Sequence, residues 1–519
     1  MKIRNTCFIF LSLLYSSLLL TAQTAYECLD LKALETFIED SRQSWKIPAL
    51  SIAIVKNDTI IYEKGFGVTD ITGKEKADEH TLFAIASNTK AFTSAALAVL
   101  VDEGKISWDD RVIDHLPYFE LYDPFVTREM RIRDLLCHRC GLKTFSGDLL
   151  WYGTTWSREE VIRRARYLEP AYSFRSGYGY SNIMFITAGE IIPAVEGISW
   201  DDFLKDRFFD PLGMERTNTT IRNLEGLENV AMPHFVDPLT GEAQKIPYVN
   251  WDNVGPAGAI NSSVHDMVQW IRMQLNMGNW NGEQLISEDQ VWETRAVHNP
   301  QKVSRGMANM RPSQHFSGYG LGWSLMDYHG CKIIGHGGGA DGMISRVTMV
   351  PEENFGFVIL TNSNNSLPSA LSFDILDEYF RVEDKMNWSN MYLNFYRGHF
   401  ESLAEEAAEL QKKKIEGSEP TLDLESYTGT YGGEMYGDAE VVLEEGRLVV
   451  KFVPTPMFTG DLTHWHQDIF RIRLRDIPSL PYGTVQFIID QEGRVEEMKI
   501  DIPNPDFYFT ELEFKKKGQ

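Results

Sequence analysis

Ser87-Asn88-Thr89-Lys90 is the one place in this 519-residue chain where a lysine follows a serine at three residues' distance. On a helix, positions i and i+3 share a face, so the Lys90 amine can reach the Ser87 hydroxyl. A serine becomes a useful nucleophile only when a base takes its proton, and a lysine can do so if burial lowers its pKa. A helix start adds backbone N–H groups for a developing oxyanion. The implied chemistry is acyl transfer, although an N-cap serine with a chance lysine gives the same four letters. Two further pieces strengthen the reading. Ser176-Gly177-Tyr178-Gly179-Tyr180-Ser181-Asn182 is a glycine-rich turn entering an apolar helix. It offers a phenol at Tyr180 for proton relay and an amide at Asn182 for a substrate. Gly335-His336-Gly337-Gly338-Gly339 follows a strand pattern, and successive glycines let a substrate approach the backbone and accept its N–H bonds.

The elements that must bring these pieces together are legible in outline. Residues 49–55 and 59–62, joined by Lys56-Asn57-Asp58, predict a hairpin. From Phe83 to about Glu103 the pattern is helical and too apolar to face water, which predicts a buried helix. Residues 105–310 read as helices broken by Pro and Gly loops, and strands return at 332–334, 343–350 and 355–361. This order predicts an α+β unit over 26–375. Its late strands pair with the first hairpin in one antiparallel sheet flanked by helices, and a helical lobe forms a cleft with it. A helical linker over 376–423 includes the charged, solvated stretch Glu401 to Lys414. Beyond it, 424–519 carries five or more short strand patterns and predicts a small all-β domain.

Taken in order, S-x-x-K, Y-x-N and H-x-G resemble the serine β-lactamase and D,D-peptidase superfamily, within it the class C β-lactamase and esterase-like branch. Asp134-Leu135-Leu136-Cys137-His138-Arg139-Cys140-Gly141-Leu142 is similar to that family's LLxHxSGL segment. Gly255 to Asp266 and Tyr319-Gly320-Leu321-Gly322-Trp323 match as well, so the resemblance covers about 30–370. Residues 424–519 look like the β-barrel that follows the hydrolase in some relatives, including a D-amino-acid-specific peptidase. The resemblance implies a β-lactamase/transpeptidase-like fold in which Ser87 forms the acyl-enzyme. Lys90 and Tyr180 share its proton, with the choice of base left open. Asn182 holds the substrate's amide, and the oxyanion rests on backbone N–H groups of Ser87 and the Gly338-Gly339 run, Gly339 above all. His336 stands where relatives carry a lysine, so a cation there becomes conditional on pH, which weakens recognition of a β-lactam carboxylate. Cys140 replaces a small residue of the family pattern.

Bulk properties narrow the partners. A formal charge of −24 repels phosphate backbones and anionic membranes, which excludes nucleic acid. Lys2 and Arg4, the apolar run Cys7 to Leu20 and the small residues after it predict a cleaved signal peptide over 1–25. The protein is then periplasmic or secreted, with no membrane span after cleavage. Cys28 lacks the small residues that precede a lipidated cysteine. Cys137 and Cys140 form a lone CxxC, read as small buried side chains rather than zinc ligands, and His464 and His466 as surface packing. HExxH and G-x-S-x-G are absent. The expected protein is an exported serine hydrolase that needs no metal or cofactor. Its substrates are small amides, D-amino-acid peptides or esters. A sensor that acylates slowly without turnover is the alternative, and a ligand-binding or oligomer-forming barrel is a third reading.

Overall fold

A computed structural model describes residues 29–518, so the expected signal peptide and Cys28 lie outside the described residues. The main sheet is built from β1 (Ala49–Lys56), β2 (Thr59–Gly67), β3 (Asn299–Gln301), β4 (Ser317–Tyr319), β5 (Ser324–Tyr328), β6 (Cys331–Ala340), β7 (Met343–Val350) and β8 (Phe355–Thr361). Every residue of β1 and β8 is buried, as a continuous apolar run requires when helices cover both faces. The two pair antiparallel, Leu50 opposite Thr361, and the sheet order is β2-β1-β8-β7-β6-β5-β4-β3. The late strands do return to the first hairpin. That hairpin turns at Asn57 and Asp58, both left-handed at φ 49° and 60°, a conformation these two residue types tolerate.

Six helices matter here: α1 (Leu31–Ser44), α2 (Thr89–Asp102), α3 (Asn182–Glu196), α4 (Val264–Leu275), α5 (Leu367–Tyr379) and α6 (Trp388–Gln411). On one face of the sheet, α1 and α5 close an apolar cluster around Ile38, Ile52, Phe357, Leu371 and Ile375. On the other face, α2 is buried from Thr89 through Leu100 and packs among α3, α4 and the sheet. Phe92 stacks on Trp270 at 3.8 Å between ring centroids. The predicted helix over 83–103 starts later than its hydrophobicity suggests. Phe83–Ala84 is a short strand paired with Asn261–Ser262, and a tight turn at Ala86–Asn88 precedes α2. A two-residue strand has too few positions to show a period of two.

The C-terminal residues form a closed barrel. Its strands are β9 (Gly429–Gly433), β10 (Gly437–Glu444), β11 (Arg447–Phe452), β12 (Thr459–His466), β13 (Ile469–Leu474), β14 (Gly483–Ile489), β15 (Val495–Asp501) and β16 (Lys515–Lys516). Closure leaves no unpaired edge. Helix α6 lies largely exposed, burying only Trp388, Ser389 and Leu393. Cys137 and Cys140 are buried and unbonded. His464 bonds the Gln467 carbonyl at the rim of the barrel. Among the described residues no single helix is long and apolar enough to cross a membrane.

Candidate active site

Ser87 sits in the turn between the short strand at 83–84 and α2. Ala86, just before it, is left-handed at φ 47°, a conformation costing an alanine about 1 kcal/mol or more. The turn is braced against β7. Ser345 Oγ donates to the Ile85 carbonyl at 2.6 Å, and Asn88 Nδ2 donates to Ser345 Oγ at 2.7 Å. Strand β6 pairs with β5 only as far as Gly335, opposite Ser324, whereas its pairing with β7 continues to Ala340. From His336 onward β6 therefore has a free edge, and the Ser87 turn lies beside it. The fit depends on glycine: a Cβ at Gly338 would lie 2.1 Å from the Ile85 oxygen and 3.0 Å from Ser87 N. The glycine run expected at the end of a strand forms the C-terminal half of β6.

Lys90 is fully buried in the first turn of α2, and its Nζ meets Ser87 Oγ at 3.0 Å, Asn182 Oδ1 at 2.7 Å and the Ala257 carbonyl at 2.8 Å. Burial pushes its pKa down to about 7, opposed by the charge of Asp148. A neutral amine has two N–H bonds and one lone pair. Asn182 Oδ1 and the Ala257 oxygen can only accept, so they take the two protons and leave the lone pair for the Ser87 hydroxyl.

Tyr180 and Asn182 arrive from the loop that opens α3. The Tyr180 phenol is a neighbour of Ser87, its ring lies 4.8 Å from Lys90 Nζ, and burial holds its pKa well above 10. His138 shapes this loop. Its Nδ1 accepts from Ser181 N at 3.1 Å and its ring lies 4.1 Å from that of Tyr180. Asn182 is oriented by Asp148, whose Oδ2 accepts from Asn182 Nδ2 at 2.7 Å.

His336 requires a correction. Its Nδ1 bonds the Gly337 carbonyl at 2.6 Å, which fixes the proton on that nitrogen, so Nε2 accepts from Tyr319 OH at 2.7 Å. Burial, aided by Lys90, pushes its pKa down to about 3. The expected pH-dependent cation is absent near neutrality, and both ring nitrogens are already engaged. No pattern in the sequence pairs Tyr319 with His336; register across the sheet does. Asp148 and the Ala257 carbonyl also escaped the sequence reading, the first because an isolated aspartate carries no motif. Beside the Ser87 turn a small pocket is lined by residues including Ala84, Tyr248, Trp251, Asn261 and Asp341. Tyr152 OH donates to Asp341 at 2.8 Å, and burial pushes Asp341 up to about 6.

A sheet with helices on both faces, and a serine and lysine one helical turn apart beside its free strand edge, define a class of penicillin-recognising and related serine hydrolases. The β-lactamase family model matches residues 34–376, and the chain belongs to that family. A second model, described as a domain of unknown function, matches 413–516. The unguisins hydrolase ungD of Aspergillus violaceofuscus is 27% identical over 439 residues, covering 80% of this chain and 77% of that protein. The octameric penicillin-binding protein homologue from Pyrococcus abyssi superposes with a TM-score of 0.62 at 21% identity, covering 94% of this chain and all of that one. The D-amino acid amidase from Ochrobactrum anthropi gives a TM-score of 0.55 at 21% identity, over 67% of this chain and 97% of that one. At these identities the two structures show a shared fold.

Proposed function

We propose that this protein is an exported hydrolase that opens small amides, D-amino-acid peptides or esters through an acyl-enzyme on Ser87. The observation that carries the reading is the Lys90 amine, whose two acceptor-only partners leave its lone pair for the Ser87 hydroxyl. Ser87 Oγ attacks the acyl carbon as its proton passes to Lys90. The tetrahedral oxyanion lies between the Ser87 turn and β6, where Ser87 N and Gly339 N are the donors. Tyr180, kept a neutral phenol by burial, hands its proton to the departing amine or alcohol and takes one back from the Lys90 ammonium, which restores the neutral amine. Water then takes the place of the leaving group, and the acid is released with Ser87 restored. Because Lys90 can again act as base in this second half, turnover is favoured over a stalled sensor. Substrate charge follows from the surroundings: His336 is neutral, and Asp341 lines the pocket beside the Ser87 turn, with the charge of Asp506 acting on it. These acids oppose a carboxylate on the substrate and suit an uncharged or amine-bearing one. The name of the D-amino acid amidase is in keeping with that class. Export rests on the order of residues in 1–25, and self-association through the barrel is suggested by the octameric state of the Pyrococcus abyssi homologue.

A fluorophosphonate probe should label the wild type and leave Ser87→Ala unlabelled. Labelling that survives the substitution removes Ser87 from the reaction. D- and L-amino-acid p-nitroanilides and p-nitrophenyl esters, assayed side by side, then give the substrate class.

A further inference from the structure

Between the catalytic turn and the barrel runs the segment 143–155, which no motif marks, and it touches each half of the proton relay. Phe145 N donates to the Tyr180 carbonyl at 2.8 Å, and Thr144 Oγ1 accepts from Tyr180 N at 3.1 Å. Three residues on, Asp148 is buried, with Oδ1 accepting from Trp151 Nε1 at 2.9 Å and Oδ2 from Asn182 Nδ2 at 2.7 Å. Asp148 Oδ2 takes the Asn182 NH2, which leaves the Asn182 oxygen turned toward Lys90. That orientation makes the Lys90 contact possible.

The barrel grips the same segment from the other side. Glu511 Oε1 accepts from Ser146 Oγ at 2.7 Å, and Oε2 accepts from Gly147 N at 3.0 Å. Gly147 is left-handed at φ 77°, and a Cβ there would lie 2.4 Å from Leu168, so this turn admits only glycine and leads directly into Asp148. Lys143 Nζ lies 3.2 Å from the Tyr508 ring centroid, Tyr152 packs on Phe507 at 4.4 Å, and Thr155 N donates to the Pro454 carbonyl at 3.0 Å.

We propose that Asp148 is a positioning residue of the Ser87–Lys90 relay, acting through Asn182, and that Glu511 of the barrel holds it in place. The inference rests on Ser87 and Lys90 reacting as described above. It gives the barrel a part in catalysis without contact with substrate: the path runs Glu511, Gly147, Asp148, Asn182, Lys90, Ser87. With asparagine at 148 an NH2 group can face the Asn182 NH2. The clash favours a flipped Asn182, whose nitrogen then meets Lys90 and whose oxygen is lost to it.

The test measures fluorophosphonate labelling rate against pH for the full-length wild type, Asp148→Asn, Glu511→Ala and the double variant, with thermal unfolding of each. The groups around Lys90 are Ser87 on the same turn, Tyr180, Asn182 and Phe185 from the loop and α3, the Ala257 carbonyl, neutral His138 and His336, and Asp148. Burial pushes Asp148 itself up to about 7, and the charge of Asp506 adds to the rise. Of these, Asp148 favours the Lys90 ammonium, so removing its charge frees the amine at lower pH. Asp148→Asn should lower the plateau about tenfold or more while moving the rising limb to lower pH. A purely structural loss would lower the plateau and leave the limb where it was. Glu511→Ala should shift both in the same directions by less. The double variant should lose no more than Asp148→Asn alone, because both act along one path. A limb that stays in place in Asp148→Asn, a Glu511→Ala plateau within twofold of wild type, or losses that multiply in the double variant would each overturn the proposal. If Asp148→Asn does not fold, the limb of Glu511→Ala decides. An unlabelled wild type, or labelling retained in Ser87→Ala, defeats the serine-hydrolase reading instead.

Discussion

The side chains around Ser87 divide by what burial does to them. Lys90 is brought to about 7, close to working pH, whereas Tyr180 is held well above 10 as a proton carrier and His336 is driven to about 3. A general base is useful where it is partly free at the ambient pH, and of these three only Lys90 meets that condition. The rate of Ser87 labelling should therefore rise with pH through about 7, since the free amine forms as Lys90 loses its proton. Lys90→Met should abolish the limb and slow labelling by about 10³-fold. For an anionic substrate, KM should rise only with the ionisation of Asp341 near 6 and stay flat in Asp341→Asn, because His336 carries no charge to lose between acid and neutral pH. A KM that still climbs in Asp341→Asn would show that the imidazole is protonated after all. For the same reason a chromogenic cephalosporin should turn over far more slowly than a neutral ester.

Two elements carry the site, and each fails in its own way. Strand β6 meets the Ser87 turn at Gly338, where a methyl group would press on the Ile85 oxygen. Gly338→Ala should cost activity about 10²-fold or more by spreading this gap, and about 1–3 kcal/mol of stability by overpacking. Labelling kinetics and denaturant unfolding read the two effects separately. Helix α2 is held by its apolar surface rather than by charge. Phe92→Ala, which removes the ring stacked on Trp270, should cost about 3–5 kcal/mol in denaturant unfolding. The existence of these elements was clear from hydrophobic pattern alone, because α2, β1 and β8 bury every face they have. Their edges were not. The strand at 83–84 and the extension of β6 through five residues of the glycine run depend on partners far along the chain.

Across the whole molecule, one apolar cluster extends from α2 and α3 into the barrel, taking in Tyr152, Tyr436, Phe452, Phe458 and Phe509. Trp156 lies against Tyr436 at 5.8 Å between centroids, and Arg164 donates to the Glu434 and Met435 carbonyls. An interface that merges two cores couples their unfolding. Calorimetry should accordingly show one cooperative transition for the hydrolase unit and the barrel. Two well-separated peaks would mean that the interface is too weak to transmit the Glu511 contact.

What the sequence by itself determined is which side chains meet at the candidate site. Ser87, Lys90, Tyr180 and Asn182 were legible because their spacing is local: one helical turn in the first pair, one loop in the second. The α+β order and the all-β C-terminal unit were legible too, since hydrophobic period is a local property. Tertiary structure alone decided the electrostatic state of those groups. The pKa of Lys90, the silence of His336 and the orientation of Asn182 depend on burial and on partners 17 to 167 residues away, at Tyr319, Asp148 and Ala257. Only the folded chain brings Glu511 to Gly147, 364 residues apart in sequence, because a contact between surfaces of two domains leaves no periodic trace in either.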